Sequence, residues 1–131
     1  MISKPKILIA EDESIIAMDL RVSLARMGYE ITSVVNNALA AIQKAEHDKP
    51  DIILMDIMLG GSLDGIEAAK IISYNHSTPI IYVTALKDEQ TKKRAFLPAP
   101  HLFLMKPYTE KELKLAIDNL LGSSPIRNKL Q

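Results

Sequence analysis

Short apolar runs recur along the chain, and within the three strong runs the apolar residues are continuous rather than alternating with polar ones. Three strong runs lie at 6–10, 51–55 and 79–83, and two weaker ones at 31–35 and 102–105. A continuous run of four or five apolar residues is typical of a strand covered on both faces, as in a parallel sheet between two layers of helices. The pattern therefore predicts five strands.

Helical patterns fill the intervals that follow these strands. The first carries its apolar residues on one stripe, Ile16, Leu20, Leu24 and Met27, and Gly28 follows it as the expected stop. The third and fifth open with the capping patterns Asp64–Glu67 and Thr109–Glu112, whereas the fourth is polar and basic. The five helices are expected at 16–27, 37–47, 64–72, 87–96 and 109–120.

Strand and helix alternate five times, which predicts an α/β fold with one parallel sheet built from right-handed crossover units. For five strands, the flavodoxin-like (βα)5 arrangement with sheet order 2-1-3-4-5 and helices on both faces is the leading expectation. Residues 1–121 are expected to form this single domain, and residues 122–131 a C-terminal tail or the start of a linker.

Composition and charge narrow the classes of function. Apolar residues make up 47% of the 131 residues, which favours an ordinary globular protein. Sixteen basic residues balance sixteen acidic ones, so nucleic-acid binding by this domain is not expected. There is no cysteine for disulfide or thiolate chemistry. The apolar runs are too short for a membrane span or a secretory signal, so we expect a cytoplasmic protein without a membrane partner.

Polar side chains stand where the predicted strands end. Glu11 and Asp12 follow the first strand, and Asp56, Thr84 and Lys106 follow the third, fourth and fifth. Because sites in such sheets form at the carboxyl ends of the strands, these five side chains are expected to converge. Three carboxylates repel one another unless a hard cation such as Mg²⁺ neutralises them. With the fixed charge of Lys106, this set favours phosphoryl transfer to an oxygen of Asp56.

Five motifs in a fixed order, each at a strand end or a helix start, carry a family resemblance over residues 5–121. They are Ile7-Leu8-Ile9-Ala10-Glu11-Asp12, Asp51-Ile52-Ile53-Leu54-Met55-Asp56-Ile57-Met58, Asp64-Gly65, Val83-Thr84-Ala85 and Lys106-Pro107-Tyr108. In these motifs the chain resembles the receiver domain of two-component response regulators. The resemblance implies a phosphorylation switch rather than a turnover enzyme, in which the domain phosphorylates and dephosphorylates itself on Asp56 only.

The same resemblance implies a role for each residue of the site. The implied ligands of Mg²⁺ (or Mn²⁺) are Glu11, Asp12, Asp56 and the backbone carbonyl of Met58. Thr84 and Lys106 would contact the phosphoryl group, and Phe103 would be the aromatic that fills the space left when Thr84 moves. The implied donor is a sensor histidine kinase or a phosphotransfer protein. The implied output surface, for a homodimer or an effector, combines the fourth helix, fifth strand and fifth helix.

Two segments depart from the usual form of that family. The loop Gly60-Gly61-Ser62-Leu63 is one residue longer and replaces a proline with glycine, which gives the backbone beside the site more freedom. Leu97-Pro98-Ala99-Pro100-His101 stands where Gly-Ala is common, and its prolines are expected to end the fourth helix early. Asp64, which follows the longer loop, is expected to cap a helix rather than bind the metal.

Three other functions stay open at this point. A flavodoxin-like electron carrier shares the fold, but Glu11-Asp12-Glu13 would repel the phosphate of its cofactor. A phosphatase of the aspartyl-phosphate type would need an acid two residues after Asp56, where Met58 stands. A receiver that only docks proteins would not need the complete set of five polar side chains.

Overall fold

The computed structural model describes residues 3–85 and 88–122. Strands and helices alternate throughout this part of the chain, as the apolar pattern predicts. The elements are β1 (Lys6–Ala10), α1 (Ser14–Arg26), β2 (Glu30–Val35), α2 (Ala38–Asp48), β3 (Ile52–Asp56), α3 (Gly65–Asn75), β4 (Ile80–Thr84), α4 (Glu89–Arg94), β5 (His101–Met105) and α5 (Glu110–Gly122). The expected tail lies, from residue 123 onward, outside the described residues.

All strand pairs are parallel, and the sheet order is β2-β1-β3-β4-β5. This confirms the predicted flavodoxin-like α/β fold and its 2-1-3-4-5 order. The strand bounds differ from the predicted ones by a residue: Asp56 and Thr84 are the last residues of β3 and β4 rather than the first residues after them. Their side chains are therefore fixed by strand backbone, not by loops.

Successive strand residues point to opposite faces of the sheet, and the chain buries apolar residues on both. On one face Ile9, Leu54 and Ile81 pack with residues of α1 and α5. On the other face Leu8, Met55 and their neighbours pack with residues of α2 and α3. The two separate cores confirm the prediction that helices cover both faces.

The helix ends follow the predicted signals. Gly28, directly beyond α1, adopts a φ of +98°, which favours glycine strongly over other residues. Thr109 and Glu112 exchange the two hydrogen bonds of a capping box at the start of α5. In the described residues, no helix combines the length and the apolar character that a membrane span requires.

The fourth helix is shorter than the sequence predicts. It runs from Glu89 to Arg94, and within the described range 88–122 none of its six residues is buried. Its N-cap Asp88 accepts a hydrogen bond from the Thr91 amide, and the chain leaves the helix at Ala95, before Pro98 and Pro100. The expectation that this helix ends early is thus confirmed.

Candidate functional site

Three carboxylates converge at the carboxyl edge of the sheet. Because Ala10 pairs with Met55 in the β1–β3 ladder, the following residues, Glu11 and Asp56, lie side by side. One oxygen from each of Glu11, Asp12 and Asp56 lies within 4.8 Å of the other two. The Glu11 and Asp56 side chains are buried, whereas Asp12 is exposed. This arrangement opens one side of a buried acidic cluster to solvent.

Lys106 reaches the same cluster from the end of β5. Its Nζ lies 3.3 Å from Asp56 Oδ2 and 3.5 Å from Glu11 Oε1. Its own amide donates to the Thr84 carbonyl over 2.9 Å, which fixes the start of the loop that follows β5 against the end of β4. Burial alone would lower the pKa of Lys106, but attraction to Asp56 and Glu11 outweighs it and raises that pKa. The ammonium therefore stays charged.

Glu11 shows how unfavourable this cluster is without a further cation. Burial raises the pKa of Glu11 to about 7, and the neighbouring Asp56 carboxylate raises it as well. The Glu13 amide and Lys106 act in the opposite direction. One ammonium against three carboxylates leaves the cluster with an excess of negative charge. Oxygen ligands with such a charge are what Mg²⁺ prefers, so the donor set fits a hard divalent cation. The cluster could hold a metal ion.

The Met58 amide fixes the orientation of Asp56. It donates to Asp56 Oδ1 over 2.9 Å, while Lys106 holds the other oxygen. The Met58 side chain is 65% exposed. The physical reason is its position: it comes after the strand has ended, in the loop that crosses the site. The role of its carbonyl as a metal ligand stays a prediction.

Thr84 and Phe103 lie beside the cluster rather than within it. Asp56 pairs with Val83, so Thr84 ends its strand next to the acidic edge, and its side chain is buried. Phe103 pairs with Tyr82, two residues deeper in the sheet than Thr84, and its half-buried ring stacks on the Tyr82 ring at 5.2 Å. The structure thus brings five predicted polar residues to one edge and places the aromatic below it.

A groove beside the acidic cluster reaches the surface between α1 and the end of β2. Its volume is about 470 Å³. Glu11 and Asp12 form part of its wall, together with Met18, Arg21 and Asn36. Glu11 and Asp12 therefore face this groove, although Glu11 is buried.

Three residues that support the site were missed by sequence reasoning. Gly65 packs so closely that a Cβ would lie 2.0 Å from the Asp56 carbonyl oxygen; the Asp64-Gly65 motif was the signal for it. Tyr82 donates from its buried hydroxyl to the Ala95 carbonyl, which nothing in an apolar run indicates. Arg94, which lies in the polar and basic fourth helix, pairs with Asp64. Asp64 itself caps α3 in a complete capping box, as predicted.

Comparison with known proteins agrees with this geometry. Residues 7–118 match the response regulator receiver domain family. The transcriptional regulatory protein PdtaR of Mycobacterium tuberculosis is 36% identical over 113 residues, which cover 86% of this chain and 55% of that protein. The transcriptional regulatory protein ResD of Bacillus subtilis is 34% identical over 91% of this chain and 49% of that protein. The chain thus spans about half the length of these curated relatives.

Solved structures show the same likeness. The signal receiver domain of a modulated diguanylate cyclase from Desulfovibrio desulfuricans superposes with a TM-score of 0.85 and 33% identity, over 98% of this chain and all of that one (100%). The receiver domain of a sensor histidine kinase from Pseudomonas aeruginosa, which holds a coordinated magnesium ion in its active-site cleft, gives a TM-score of 0.82 and 28% identity over 92% of this chain and 100% of that one. The chain therefore belongs to the response regulator receiver domain family, the phosphoacceptor switches of two-component systems.

Proposed function

We propose that Asp56 is the residue on which this receiver domain accepts a phosphoryl group. The observation that carries the proposal is the position of the buried Asp56 carboxylate. Lys106 Nζ and the Met58 amide each contact one of its oxygens, and two further carboxylates lie beside it. The Asp56 carboxylate thus has a fixed orientation, at an edge of the sheet where the charge of Lys106 can bind an anionic group.

We propose that the domain binds Mg²⁺ (or Mn²⁺) through Glu11, Asp12, Asp56 and the carbonyl of Met58. When bound, the ion neutralises charge on the phosphoryl oxygens. An Asp56 oxygen forms the new bond to phosphorus while the bond from phosphorus to the donor's histidine nitrogen breaks, and the electron pair stays on that nitrogen. Lys106 contributes a fixed positive charge, which needs no rearrangement during transfer.

The same residues serve the return step. Water attacks phosphorus, and the bond from phosphorus to Asp56 breaks with its electron pair left on the carboxylate. Inorganic phosphate and a proton from the water are released, and the carboxylate returns to its contact with Lys106. Both steps occur on the domain's own Asp56, so we propose a regulatory domain without an external substrate for turnover. The donor is a sensor histidine kinase or a phosphotransfer protein, which reaches the carboxylates from their exposed side. The cytoplasmic location expected from the sequence stays a prediction.

The added phosphoryl group carries close to two negative charges and three acceptor oxygens. We propose that Thr84 moves to donate a hydrogen bond to it, and that Phe103 takes up the space released. This change is expected to alter the surface formed by α4, β5 and α5, where a homodimer partner or an effector would bind. Direct nucleic-acid binding is not part of the proposal, since the 131-residue chain has no net charge.

The test is incubation with acetyl phosphate and Mg²⁺, followed by intact mass. We expect wild-type protein and the matched control Asp19→Asn, in which an exposed carboxylate of α1 is removed, to gain one phosphoryl group. Asp56→Asn should gain none, and omission of the divalent cation should abolish the gain in wild type. A phosphoryl group that persists in Asp56→Asn would refute the assignment. No gain in wild type would favour a receiver that only docks proteins.

A further inference from the structure

Polar contacts anchor the C-terminal end of α4, where the chain enters the core at the buried Ala95. None of its six residues is buried, so its own side chains supply little apolar packing. The guanidinium of Arg94, its last residue, pairs with Asp64 and lies 3.8 Å from Glu67 at the start of α3. The next residue, Ala95, accepts a hydrogen bond from the Tyr82 hydroxyl over 2.9 Å. Two adjacent residues thus anchor the helix.

The Tyr82 anchor leads directly to the phosphorylation site. Tyr82 and Thr84 are two residues apart on β4, so their side chains point to the same face of the sheet. On β5, Phe103 lies opposite Tyr82, and the two rings stack with an angle of 27° between their planes. The Tyr82 ring therefore touches the aromatic proposed to move, and its hydroxyl holds the end of α4.

The Tyr82 hydroxyl is a constant donor. Tyr82 is fully buried, and burial raises its pKa well above the ordinary value for tyrosine, so the proton stays on the oxygen at physiological pH. The hydrogen bond to Ala95 is itself buried, so water does not replace the hydroxyl as the partner of this carbonyl when the hydroxyl is removed. Phe103 lacks a hydroxyl, which leaves Tyr82 as the polar member of the stacked pair.

We propose that Tyr82 is a positioning residue that couples the switch to α4. Its hydroxyl holds the helix in one place, and its ring transmits a displacement of Phe103 to that hydrogen bond. This rests on the proposed function, since it assumes that phosphorylation of Asp56 displaces Thr84 and Phe103. Arg94 is the second anchor, and it connects α4 through Asp64 to the loop that leaves Asp56.

Hydrogen exchange of the full chain, with and without acetyl phosphate and Mg²⁺, tests this coupling in Tyr82→Phe. The matched control is Tyr74→Phe, which removes a hydroxyl from a side chain that is 92% exposed. The reporters are the Ala95 and Phe96 amides, which donate to Thr91 and Lys93 at the end of α4. Without phosphorylation, we expect Tyr82→Phe to speed their exchange on the order of tenfold, while amides in α5 change far less.

Exchange in the phosphorylated protein distinguishes coupling between the site and α4 from a simple loss of stability. In wild type and Tyr74→Phe, phosphorylation is expected to change the exchange rate of these two amides. In Tyr82→Phe that change should be less than about half of the change in wild type, although the variant gains the phosphoryl group to the same extent. A change as large as in wild type would overturn the proposal, as would an equal loss of protection throughout the chain. If wild type gains no phosphoryl group, the proposed function fails, and the exchange without phosphate still tests the anchor.

A second variant keeps the test open if Tyr82→Phe does not fold. Arg94→Gln removes the other anchor at a side chain that is 46% exposed, where folding is tolerant of substitution. We expect the same local loss of protection at Ala95 and Phe96. Lys92→Gln, on the same helix, is its control, because the ion pair of Lys92 with Glu89 is long, at 4.0 Å. Equal exchange in both variants would contradict anchoring of α4 by Arg94.

Discussion

A methyl group added at Gly65 would collide with the backbone that carries Asp56. A Cβ at this position would lie 2.0 Å from the Asp56 carbonyl oxygen and 2.9 Å from the Ile57 Cα. Non-bonded heavy atoms prefer separations of about 3.5 Å, so the start of α3 and the end of β3 would have to separate by about 1 Å or more. Gly65 is thus required by a close approach between two backbones, and no other residue meets that requirement without a shift.

The energetic effect of Gly65→Ala follows from three terms. Overpacking of a tight contact costs about 1–3 kcal/mol. Weakening of the 2.9 Å hydrogen bond from the Gly65 amide to the Ile57 carbonyl costs about 1 kcal/mol. The better helix propensity of alanine returns up to about 1 kcal/mol. We therefore expect the free energy of unfolding to fall by about 1–3 kcal/mol.

The functional effect should exceed what lost stability explains. A displacement of about 1 Å at Asp56 is expected to slow phosphorylation tenfold or more, because in-line transfer depends on the position of the attacking oxygen. Urea unfolding measures the loss of stability. The rate of phosphoryl gain from acetyl phosphate, at low temperature and without urea, measures phosphorylation while the protein is fully folded. Gly122→Ala is the control, since an added Cβ there meets nothing within 4 Å. Wild-type stability and rate in Gly65→Ala would refute the reasoning.

Two further predictions concern stability. Lys49 has a φ of +49°, so Lys49→Gly should raise the free energy of unfolding by about 0.5–1 kcal/mol, because the left-handed penalty exceeds the added chain entropy of glycine. Thermal unfolding checks this prediction. The control is Lys44→Gly, in the interior of α2, which should lower the free energy of unfolding by about 1 kcal/mol. Burial alone would raise the pKa of Asp64, but the Glu67 amide and Arg94 outweigh it and lower that pKa. A carboxyl with a lowered pKa stabilises the fold above its unfolded pKa, and this stabilisation disappears as the pH falls through the folded pKa. The difference in urea midpoint between wild type and Asp64→Asn should therefore shrink below about pH 4. A constant difference down to about pH 2 would contradict this.

The fold could be predicted because the buried strands leave a direct trace in the sequence. Ile52 to Met55 are all buried, and a run without a polar face has no other stable place than the middle of a doubly covered sheet. The site could be predicted for a related reason. Once the strands are parallel, their carboxyl ends share one edge, so Asp56 and Glu11 must meet there whatever the helices do.

The surroundings of the site could not be predicted in the same way. Met58 follows an apolar strand and would suit a core, yet the turn of the chain after Asp56 exposes its side chain. The contact of Gly65 with the Asp56 carbonyl depends on the path of an eight-residue loop, and composition does not determine that path. Such features depend on distances of an ångström or less, whereas apolar patterns specify only which face of an element is buried.

The fourth helix shows why apolar patterns predict some elements less well than others. An element held by apolar burial has a periodic pattern, whereas α4 is polar and basic, so the sequence predicted a helix at 87–96 that is longer than Glu89–Arg94. Its anchors are instead single polar contacts, from Tyr82 to Ala95 and from Arg94 to Asp64, thirteen and thirty residues apart in the chain. One hydrogen bond contributes only about 1 kcal/mol, so a helix whose own six residues are not buried can shift when one of these partners moves. The segment least visible in the sequence is for that reason the one best suited to respond to phosphorylation.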